Sequence, residues 1–479
     1  MSGGFQRLLG FWTLATVASF AQADIYFQTD FPPEEFRARR EKIFSEIGDR
    51  AIAIVAGFPK VSGYIFPRQT NEFFYLCGVE TPQSYLVLDG RARRAILFLP
   101  PREEAIERSE GRILSAADVE LAKKLTGASE VLSTAALTAA WIGSLMRQTG
   151  PAIYTPFAPA EGYAQSRGEL VAANQGLSLD PWDGRVSREA HFIGLLRTRL
   201  PRGEVRDLTP ILDQMRILKS PREVALVRRA SQLAGLALIE AMRTTRPGLY
   251  EYHLDAAARY VFLVNGARLD AYRSITAAGP ANIWNAHYYR NNSPLKDGDL
   301  VLMDYSPDYH YYVSDIARMW PVNGKFSPWQ RELLQFVLEY RNAIVKRIRP
   351  GVTADEIQQE AKAAMEPVFH KTKFSRPIYE QAARRLINTG GGVFSHSVGM
   401  AVHDVGTYRR GVLQPGHIFS VDPQLRVPEE NLYIRYEDVV AVTATGVENF
   451  TDFLPSELSD IERMVRGDGI IQKFPPSGN

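Results

Sequence analysis

The amino-acid sequence predicts an α+β chain of two domains, a smaller α/β domain followed by a domain of helices and strand hairpins. Three observations support this fold class. The chain has 479 residues, enough for two or three domains at roughly 150 residues each. Short β-rich runs alternate with helical runs between residues 51 and 200, which is typical of an α/β unit. The second half contains strongly signalled helices separated by strand-like segments.

Composition and charge restrict the class of function. Hydrophobic residues make up 45% of the chain and charged residues 23%, close to the globular average, which argues against a disordered, collagen-like or coiled-coil protein. The 56 Lys and Arg against 54 Asp and Glu leave a net charge of +2, too balanced for a protein that wraps nucleic acid. Since Cys77 is the single cysteine, an intramolecular disulfide and a thiolate zinc site are excluded. Any metal must be held by carboxylates and imidazoles.

The first 23 residues have the composition of a secretory signal peptide. An uncharged apolar stretch follows Arg7 and ends in Ala21-Gln22-Ala23, a small-x-small cleavage site. The stretch is short for a membrane span, which needs about 20 apolar residues. We therefore expect cleavage after Ala23, a secreted or periplasmic protein and no membrane span in the mature chain. The alternative is a protein anchored in the membrane by its uncleaved N-terminus.

The rest of the chain divides near residues 205–220. Ser220, Pro221 and Glu223 combine a Ser N-cap, a Pro at the first helical position and the Glu of a capping box, which predicts a helix start. Similar signals recur at Ser327 and Thr353. The predicted parts are a signal peptide at 1–23, an N-terminal α/β domain at 24–205, a connecting helix at 206–219, a second domain at 220–465 and a C-terminal tail at 466–479.

Two predicted hairpins in the second half each bring two acids together. In the first, an apolar run ends in Asp304 and a second strand-like run carries Asp315. If the turn is centred between Tyr309 and His310, Asp304 lies directly opposite Asp315. Opposed Cβ atoms in a sheet are about 5 Å apart, and opposed like charges are destabilising. A bound cation would compensate for this repulsion.

The second hairpin repeats the arrangement. A strand run ends in Asp422, another run carries Glu437, and a turn centred between Glu429 and Glu430 places the two acids opposite each other. Exposed strand ends often carry acids, so one pair alone is weak evidence for a site. Two such pairs, together with the histidines described next, indicate a metal centre.

Two histidines seven residues apart, His396 and His403, lie in a segment rich in glycine and small residues. A lone histidine is more often a structural residue, but two near carboxylate hairpins favour a metal ligand and a proton-handling group. His287 is a weaker candidate. His310 is interpreted as a surface or structural residue, although its place in the first predicted turn makes it the most plausible exception. The remaining histidines are interpreted as surface or structural residues: His191, His253, His370 and His417.

Four carboxylates and one imidazole form a hard, oxygen-rich ligand set. Such a set suits Mn²⁺, with Zn²⁺ or Co²⁺ as alternatives. Four acids are more than one ion needs, whereas two ions about 3.5–4 Å apart, bridged by carboxylates and a water, would use them all. The residues alone therefore predict a hydrolase of amides, esters or phosphates.

The order Asp304, Asp315, His396, a fourth acid and Glu437 resembles that of dinuclear-metal peptidases with the pita-bread (creatinase/methionine aminopeptidase-like) fold. The resemblance is closest to Xaa-Pro aminopeptidase (aminopeptidase P), with prolidase as a near relative, in the stretches DGDLVLMDYSPDYHYYVSDIARMWPV, FSHSVGMAVHDVG, LQPGHIFSVDP and LYIRYEDVVAVTATGVENFTDFLP. The stretch NEFFYLCGVETPQSYLVL is similar to the N-terminal domain of that group. The resemblance, from about residue 30 to 465, implies a pita-bread catalytic domain preceded by a smaller creatinase/prolidase N-terminal-like domain.

The resemblance also implies roles for the metal ligands. It makes Asp304 a ligand of the first ion, Asp315 and Glu437 bridges between the ions, and His396 and Asp422 ligands of the second ion. Asp422 would also handle the proton of the attacking water.

Three other residues would support the reaction. In the family, the positions of His287 and His403 steer the substrate carbonyl and stabilise the tetrahedral intermediate. Arg435 lies two residues before Glu437, so it points to the same face of the strand. We interpret Arg435 as a supporting residue that holds a carboxylate ionised, with an ordinary surface arginine as the alternative.

Three positions depart from the family pattern. Asp422 stands where Glu is usual, and one methylene fewer withdraws the carboxylate by roughly 1.3–1.5 Å, where a misplacement of about 1 Å can cost a hundredfold in rate. Gly392 stands where members often carry a histidine that contacts substrate, and Ala317 replaces the usual Thr. The departures bear on the rate and on the strictness for proline more than on metal binding.

The expected function is a metallo-aminopeptidase that removes the N-terminal residue from peptides with proline at the second position. The Xaa–Pro amide has no N–H and its ring constrains the chain. One alternative is a prolidase restricted to Xaa-Pro dipeptides, and another is a catalytically degenerate pita-bread protein that binds peptides. Nucleic acid is not an expected partner. Related aminopeptidases often form dimers or tetramers through the N-terminal domain, so a homo-oligomer is consistent with the resemblance.

Overall fold

The computed structural model describes residues 26–60, 65–390, 394, 396–409 and 411–476. The expected signal peptide at 1–23 and the departure at Gly392 lie outside these residues. No helix within the described ranges is long and apolar enough to cross a membrane.

The N-terminal domain contains seven helices and six strands among the described residues. Its helices are α1 (Pro33–Ile47), α2 (Asn71–Cys77), α3 (Glu104–Glu110), α4 (Val119–Thr126), α5 (Ala139–Thr149), α6 (Arg167–Leu179) and α7 (Arg188–Arg199). Its strands are β1 (Ala51–Ala56), β2 (Tyr85–Asp89), β3 (Arg94–Leu99), β4 (Glu130–Ser133), β5 (Ala152–Thr155) and β6 (Glu204–Asp207).

A single mixed sheet organises this domain, with strand order β4-β3-β2-β1-β5-β6. The three central strands are antiparallel neighbours, and the outer strands β4, β5 and β6 add in parallel. Strand β1 is AIAIVA, a continuous apolar run, because both faces of the sheet are covered. The α/β character predicted for this region is confirmed.

The predicted connecting helix is shorter than expected. Residues 206–207 belong to strand β6, where Arg206 and Asp207 pair with Tyr154 and Thr155 of β5, and only Thr209–Arg216 is helical (α8). Edge pairing with β5 outweighs the helical pattern of the sequence. The Asp207 side chain then accepts the Thr209 backbone N–H at 2.8 Å at the helix start.

The second domain contains the remaining elements. Its helices are α9 (Pro221–Thr244), α10 (Glu251–Val264), α11 (Pro280–Ile283), α12 (Pro328–Val345), α13 (Ala354–Lys371), α14 (Pro377–Thr389), α15 (Leu458–Val465) and α16 (Ile470–Lys473). Its strands are β7 (Leu269–Asp270), β8 (Ile275–Ala278), β9 (Leu300–Asp304), β10 (Pro307–Asp308), β11 (Ala317–Pro321), β12 (Ile418–Val421), β13 (Gln424–Val427), β14 (Leu432–Arg435), β15 (Asp438–Val442) and β16 (Val447–Asn449).

Helices α9, α12 and α13 begin directly after Ser220, Ser327 and Thr353, so the three predicted helix starts are confirmed. Two three-stranded antiparallel sheets, β11-β9-β8 and β12-β15-β16, and the ribbon β13-β14 lie among these helices. The segment predicted as a tail contains α16, where the Gln472 amide donates to the Thr244 carbonyl of α9 at 2.9 Å.

The first hairpin has a different register from the prediction. Asp304 pairs with Ala317, not with Asp315. The turn residues are His310 and Tyr311, both with positive φ (52° and 73°), between the bridged pair Tyr309 and Tyr312. Positive φ at both central residues defines a two-residue type I′ turn. The centre of the turn lies one residue later than predicted. As a result, each residue of the first strand pairs with a residue two positions further along the second strand than predicted.

A side chain explains why the turn forms there. The Asp308 carboxylate accepts the Tyr311 backbone N–H at 2.9 Å. Pro307 and Asp308 precede this turn and form the short strand β10, which pairs with β7.

The second hairpin has the predicted register. Val421 pairs with Asp438, and Gln424 pairs with Arg435. Asp422 and Glu437 occupy opposed positions between these two ladders, where the chain passes from one strand pair to the next. The predicted register is therefore confirmed. It places the two acids opposite each other at adjacent strand ends, where both are buried.

Candidate metal centre

Three acids of the second domain converge on one guanidinium group. Arg435 Nη1 donates to Asp304 Oδ2 at 2.6 Å, Nε donates to Asp422 Oδ1 at 2.8 Å, and Nη2 donates to Glu437 Oε2 at 2.5 Å. All four side chains are buried, with Arg435 only 7% exposed. Arg435 is therefore not an ordinary surface arginine.

Two sets of ligand atoms overlap at Asp315. Asp304, Asp315 and Glu437 form one set, and Asp315, His396 and His403 form the other; within each set the ligand atoms lie within 4.8 Å of one another. Asp422 is in neither set. Its Oδ2 atom accepts a hydrogen bond from the Gln424 amide, while Oδ1 faces Arg435.

Tyr272 joins the two aspartates of the first hairpin. Its hydroxyl lies 2.6 Å from Asp304 Oδ1 and 3.0 Å from Asp315 Oδ1. This contact brings the two carboxylates together even though they are not directly opposed in the sheet. The sequence analysis missed Tyr272 because a tyrosine 32 residues before Asp304 carries no recognisable spacing signal.

The electrostatics of the acids indicate an excess of buried negative charge. Burial raises the pKa of Asp304 to about 7, against the opposing effect of Arg435 and with a further contribution from Asp315. Burial also raises the pKa of Glu437 well above its usual range, although Arg435 opposes the shift and the other acids add to it. The pKa of Asp315 is instead lowered to about 2: burial would raise it, but the hydrogen bond and charge of His396 outweigh burial, and Arg435 and His403 add to their effect.

A divalent cation fits this arrangement. One arginine does not neutralise four buried carboxylates, and Glu437 Oε1 is buried without a hydrogen-bond partner among the described residues. An unpaired buried carboxylate oxygen is costly. Carboxylate oxygens and imidazole nitrogens are donors that suit Mn²⁺, Zn²⁺ or Co²⁺.

His396 is oriented as a ligand. Its Nε2 lies 3.2 Å from Asp315 Oδ2, and its Nδ1 lies 3.1 Å from the Ser397 carbonyl oxygen. An Nδ1–H that donates to a backbone carbonyl leaves the Nε2 lone pair available to a metal. Burial alone would lower the pKa of His396, but the hydrogen bond and charge of Asp315 outweigh burial and raise it.

The loop between the two histidines is tightly folded. Ser397 forms β-bridges with Asp404 and with Phe419 of β12, which fixes the loop against the strand that precedes Asp422. A Cβ atom on Gly399 would lie 2.1 Å from Asp404 Oδ2, so only glycine fits there. This loop places the His396 and His403 rings 4.3 Å apart between centroids.

His403 and His287 lie at the edge of the acid group. His403 Nδ1 is 2.6 Å from Glu169 Oε1 of α6, a contact from the N-terminal domain that the sequence analysis did not predict. His287 follows α11, and burial lowers its pKa, with Arg435 and His403 adding to the effect. His310 instead pairs with Asp30 at 3.0 Å in the hairpin turn.

Comparison with known proteins matches both halves of the chain. Residues 225–444 match the model of metallopeptidase family M24, and residues 36–154 match that of the aminopeptidase P N-terminal domain. The Xaa-Pro aminopeptidase of Haemophilus influenzae is 29% identical over 466 residues, covering 92% of this chain and 99% of the relative. The chain belongs to the Xaa-Pro aminopeptidase family. As a member of this family it is a metallo-aminopeptidase, and its second domain has the pita-bread fold.

Other members of the Xaa-Pro aminopeptidase family show the same correspondence. The Xaa-Pro aminopeptidase of Escherichia coli is 29% identical over 464 residues, covering 90% of this chain and 97% of the relative. The structure of E. coli aminopeptidase P with the inhibitor Pro-Leu has a TM-score of 0.71 and 27% identity, covering 91% of this chain and 99% of that chain. A putative aminopeptidase P from Bacillus anthracis shares the fold with a TM-score of 0.75 at 22% identity, covering 92% and 100% of the two chains.

Proposed function

We propose that this protein hydrolyses the N-terminal Xaa–Pro bond of peptides at a centre of two divalent cations. The observation that carries the proposal is a group of four buried acids, three of which share one arginine while the fourth, Asp315, lies beside the imidazole of His396. Mn²⁺ is the proposed ion, with Zn²⁺ and Co²⁺ as alternatives, because the donors are mostly hard carboxylate oxygens.

The proposed ligands follow the overlap at Asp315. Asp304 would bind the first ion, Asp315 and Glu437 would bridge the two ions, and His396 and Asp422 would bind the second. Arg435 would compensate the negative charge that the ions leave. When bound, the two ions would lower the pKa of a water and so supply hydroxide near neutral pH, and they would polarise the scissile carbonyl.

The remaining chemistry falls to the protein. Asp422 is proposed to accept the proton of the attacking water, while Arg435 holds its Oδ1 atom and the Gln424 amide contacts its Oδ2 atom. That proton would pass from Asp422 to the proline nitrogen as the C–N bond breaks, so that the proline-containing product leaves as a neutral amine. We propose that His287 and His403 steer the carbonyl oxygen and stabilise the tetrahedral intermediate.

A peptide-length assay separates this function from its alternatives. Residues 24–479 are loaded with Mn²⁺, the bound metal is counted, and Ala-Pro and Ala-Pro-Pro-Ala are offered as substrates. Release of alanine from Ala-Pro-Pro-Ala supports the aminopeptidase, with Ala-Ala-Pro-Ala as the uncleaved control. Cleavage of Ala-Pro alone would identify a prolidase. Less than one ion per chain and no cleavage of either peptide would identify a degenerate, peptide-binding protein.

Two properties stay predictions from the sequence. Export to the periplasm or the cell exterior is predicted from the composition of residues 1–23. Assembly into a dimer or tetramer is predicted from the resemblance to related aminopeptidases. The division into an N-terminal domain at 24–205 and a catalytic domain at 220–465 is likewise proposed.

A further inference from the structure

A carboxylate of the N-terminal domain contacts a histidine of the catalytic domain. Glu169 Oε1 in α6 lies 2.6 Å from His403 Nδ1, across 234 residues of sequence. The backbone N–H of His403 donates to Ser166 Oγ at 3.0 Å. The ring and the main chain of His403 are therefore both held by the first turn of one helix.

Polar contacts fix the position of that helix. No residue of α6 is buried, so an apolar face does not hold the helix in place. Arg167 instead donates to Glu72 at 2.8 Å in the N-terminal domain. The same region carries the buried Glu161, which pairs with Arg216 at 2.6 Å.

The chain of contacts returns to the histidine loop. Arg216 also pairs with Asp404, the residue after His403, at 2.5 Å. The loop therefore contacts the N-terminal domain directly at His403. It is also linked to Glu161 of that domain through the ion pairs of Arg216 with Asp404 and Glu161. An exposed carboxylate such as Glu169 would otherwise be free to rotate, but here its helix is anchored within three residues of it.

The contact decides which imidazole nitrogen faces the substrate. In histidine, the partner of one ring nitrogen sets the orientation and the role of the other. Because Nδ1 carries the hydrogen donated to Glu169, Nε2 is the nitrogen left for the substrate. The His403 ring lies against the ring of His396, next to Asp315.

We propose that Glu169 is a positioning residue of the active site, which holds the Nδ1–H of His403 and directs Nε2 at the substrate carbonyl. The proposal rests on the proposed function of His403. It makes the N-terminal domain a contributor to the catalytic centre through a named side chain.

A double-mutant cycle in the full chain loaded with Mn²⁺ tests the coupling. With Ala-Pro-Pro-Ala as substrate, Glu169→Ala is expected to lower kcat by about 10-fold to 100-fold, with little change in KM, because a misplaced group costs transition-state stabilisation. The same substitution in a His403→Ala background is expected to cost nothing further. Glu169→Gln keeps an acceptor oxygen and is expected to recover most of the loss. Gln175→Ala, on the exposed part of α6, is the matched control and leaves kcat unchanged.

A spectroscopic readout is independent of activity. In protein labelled with ¹⁵N-histidine, the signal absent from His403→Ala identifies His403. We expect Nδ1 to be protonated in the wild type and in Glu169→Gln, and to lose that proton preference in Glu169→Ala. An unchanged Nδ1 signal in Glu169→Ala, or equal losses of kcat in both backgrounds, would overturn the proposal. A wild-type protein that cleaves no peptide would overturn the proposed function, while the ¹⁵N signal would still decide the role of Glu169.

Discussion

Two buried groups of charged side chains lie on either side of the histidine loop, and they differ in charge balance. The acid cluster has four carboxylates and one arginine: Asp304, Asp315, Asp422, Glu437 and Arg435. The interdomain cluster has three buried carboxylates and three cations: Glu72, Glu161, Asp404, Arg167, Arg216 and Lys219. The more exposed Asp213 pairs with Arg167 at the edge of this cluster. Burial alone therefore does not distinguish a site from a structural ion-pair network.

The pKa shifts follow the charge balance. In the interdomain cluster, burial would raise the pKa of Asp404, but Arg216 and Lys219 outweigh burial and lower it. Glu161, which has Arg216 as its nearest cation, keeps a pKa raised by burial. In the acid cluster, burial raises the pKa of Asp304 and of Glu437, while His396 outweighs burial and lowers that of Asp315. Two carboxyls with raised pKa beside a single arginine, compared with one among three cations, indicate a place for an added cation.

The largest expected effects come from one acid-to-amide substitution in each cluster. Glu437→Gln removes one negative charge from a cluster in which carboxylates outnumber cations, so we expect its urea midpoint without metal to be unchanged. Its metal affinity and activity are expected to fall by at least about a hundredfold, because loss of an outer-shell partner already costs 10-fold to 100-fold. Metal counting and peptide cleavage measure these losses.

The matched change, Asp404→Asn, is expected to do the reverse. It leaves Arg216 and Lys219 without their shared carboxylate, and removing one partner of a buried ion pair costs about 3–5 kcal/mol of unfolding free energy. The bound metal is expected to stay near the wild-type count. If Asp404→Asn lost metal while its urea midpoint held, the distinction between the two clusters would be wrong.

The sequence predicted the acids of the acid cluster but not how they meet. The register at Asp422 and Glu437 was correct because a turn with Pro428 and a left-handed Asn431 (φ 52°) separates two clear strand runs. The register predicted at Asp304 was wrong because the turn residues are His310 and Tyr311. Neither is the glycine, asparagine or aspartate that usually indicates a type I′ turn in a sequence.

The long-range contacts of the histidine loop could not be predicted from the sequence. Glu169 reaches His403 across 234 residues, and Arg216 reaches Asp404 across 188 residues. Pairs this distant leave no periodicity or local spacing in the sequence. Local turn and helix-start signals were enough to predict the proposed ligands. The residues that contact them are determined by tertiary packing, which the local sequence does not reveal.

A smaller effect is expected from pH in the metal-free protein. The pKa of Asp304 is about 7 in the folded state and 3.8 ordinarily. Between these values the folded chain holds a proton that the unfolded chain has released. Its contribution to stability is complete below the unfolded pKa and is lost as pH rises through about 7, by at most about 1.4 kcal/mol per pH unit. Urea midpoints of protein treated with a chelator, from acidic to neutral pH, measure this slope.

Asp304→Asn is the control for that slope, because the variant cannot release the proton. Without metal, the wild type is expected to lose stability relative to this variant as pH rises towards neutral. Saturating Mn²⁺ is expected to reverse the wild-type trend, since metal binding favours the ionised carboxylate. A wild-type midpoint that rises across this window without metal, by more than that of Asp304→Asn, would contradict the raised pKa.

The smallest expected effect comes from lengthening one aspartate in each cluster. Asp422→Glu restores the acid that is usual in the family and moves the carboxylate by roughly 1.3–1.5 Å. Its contacts are Arg435 and the flexible Gln424 side chain, so both can adjust. We expect the bound metal to be retained and kcat to change by no more than about tenfold, since larger losses follow from misplacement without adjustment.

Asp404→Glu is the contrasting variant, because the interdomain cluster has no such room. Asp404 Oδ2 packs closely against Gly399: a Cβ atom built on that glycine would lie only 2.1 Å from it. A side chain longer by one methylene would therefore collide with the backbone of Gly399. Overpacking of this kind costs about 1–3 kcal/mol, which urea unfolding would detect. If bound metal ions determine the geometry of the acid cluster, the acid cluster tolerates the longer side chain at residue 422. The interdomain cluster does not tolerate it at residue 404. Loss of all bound metal in Asp422→Glu would instead mean that the acid cluster is built around the shorter side chain.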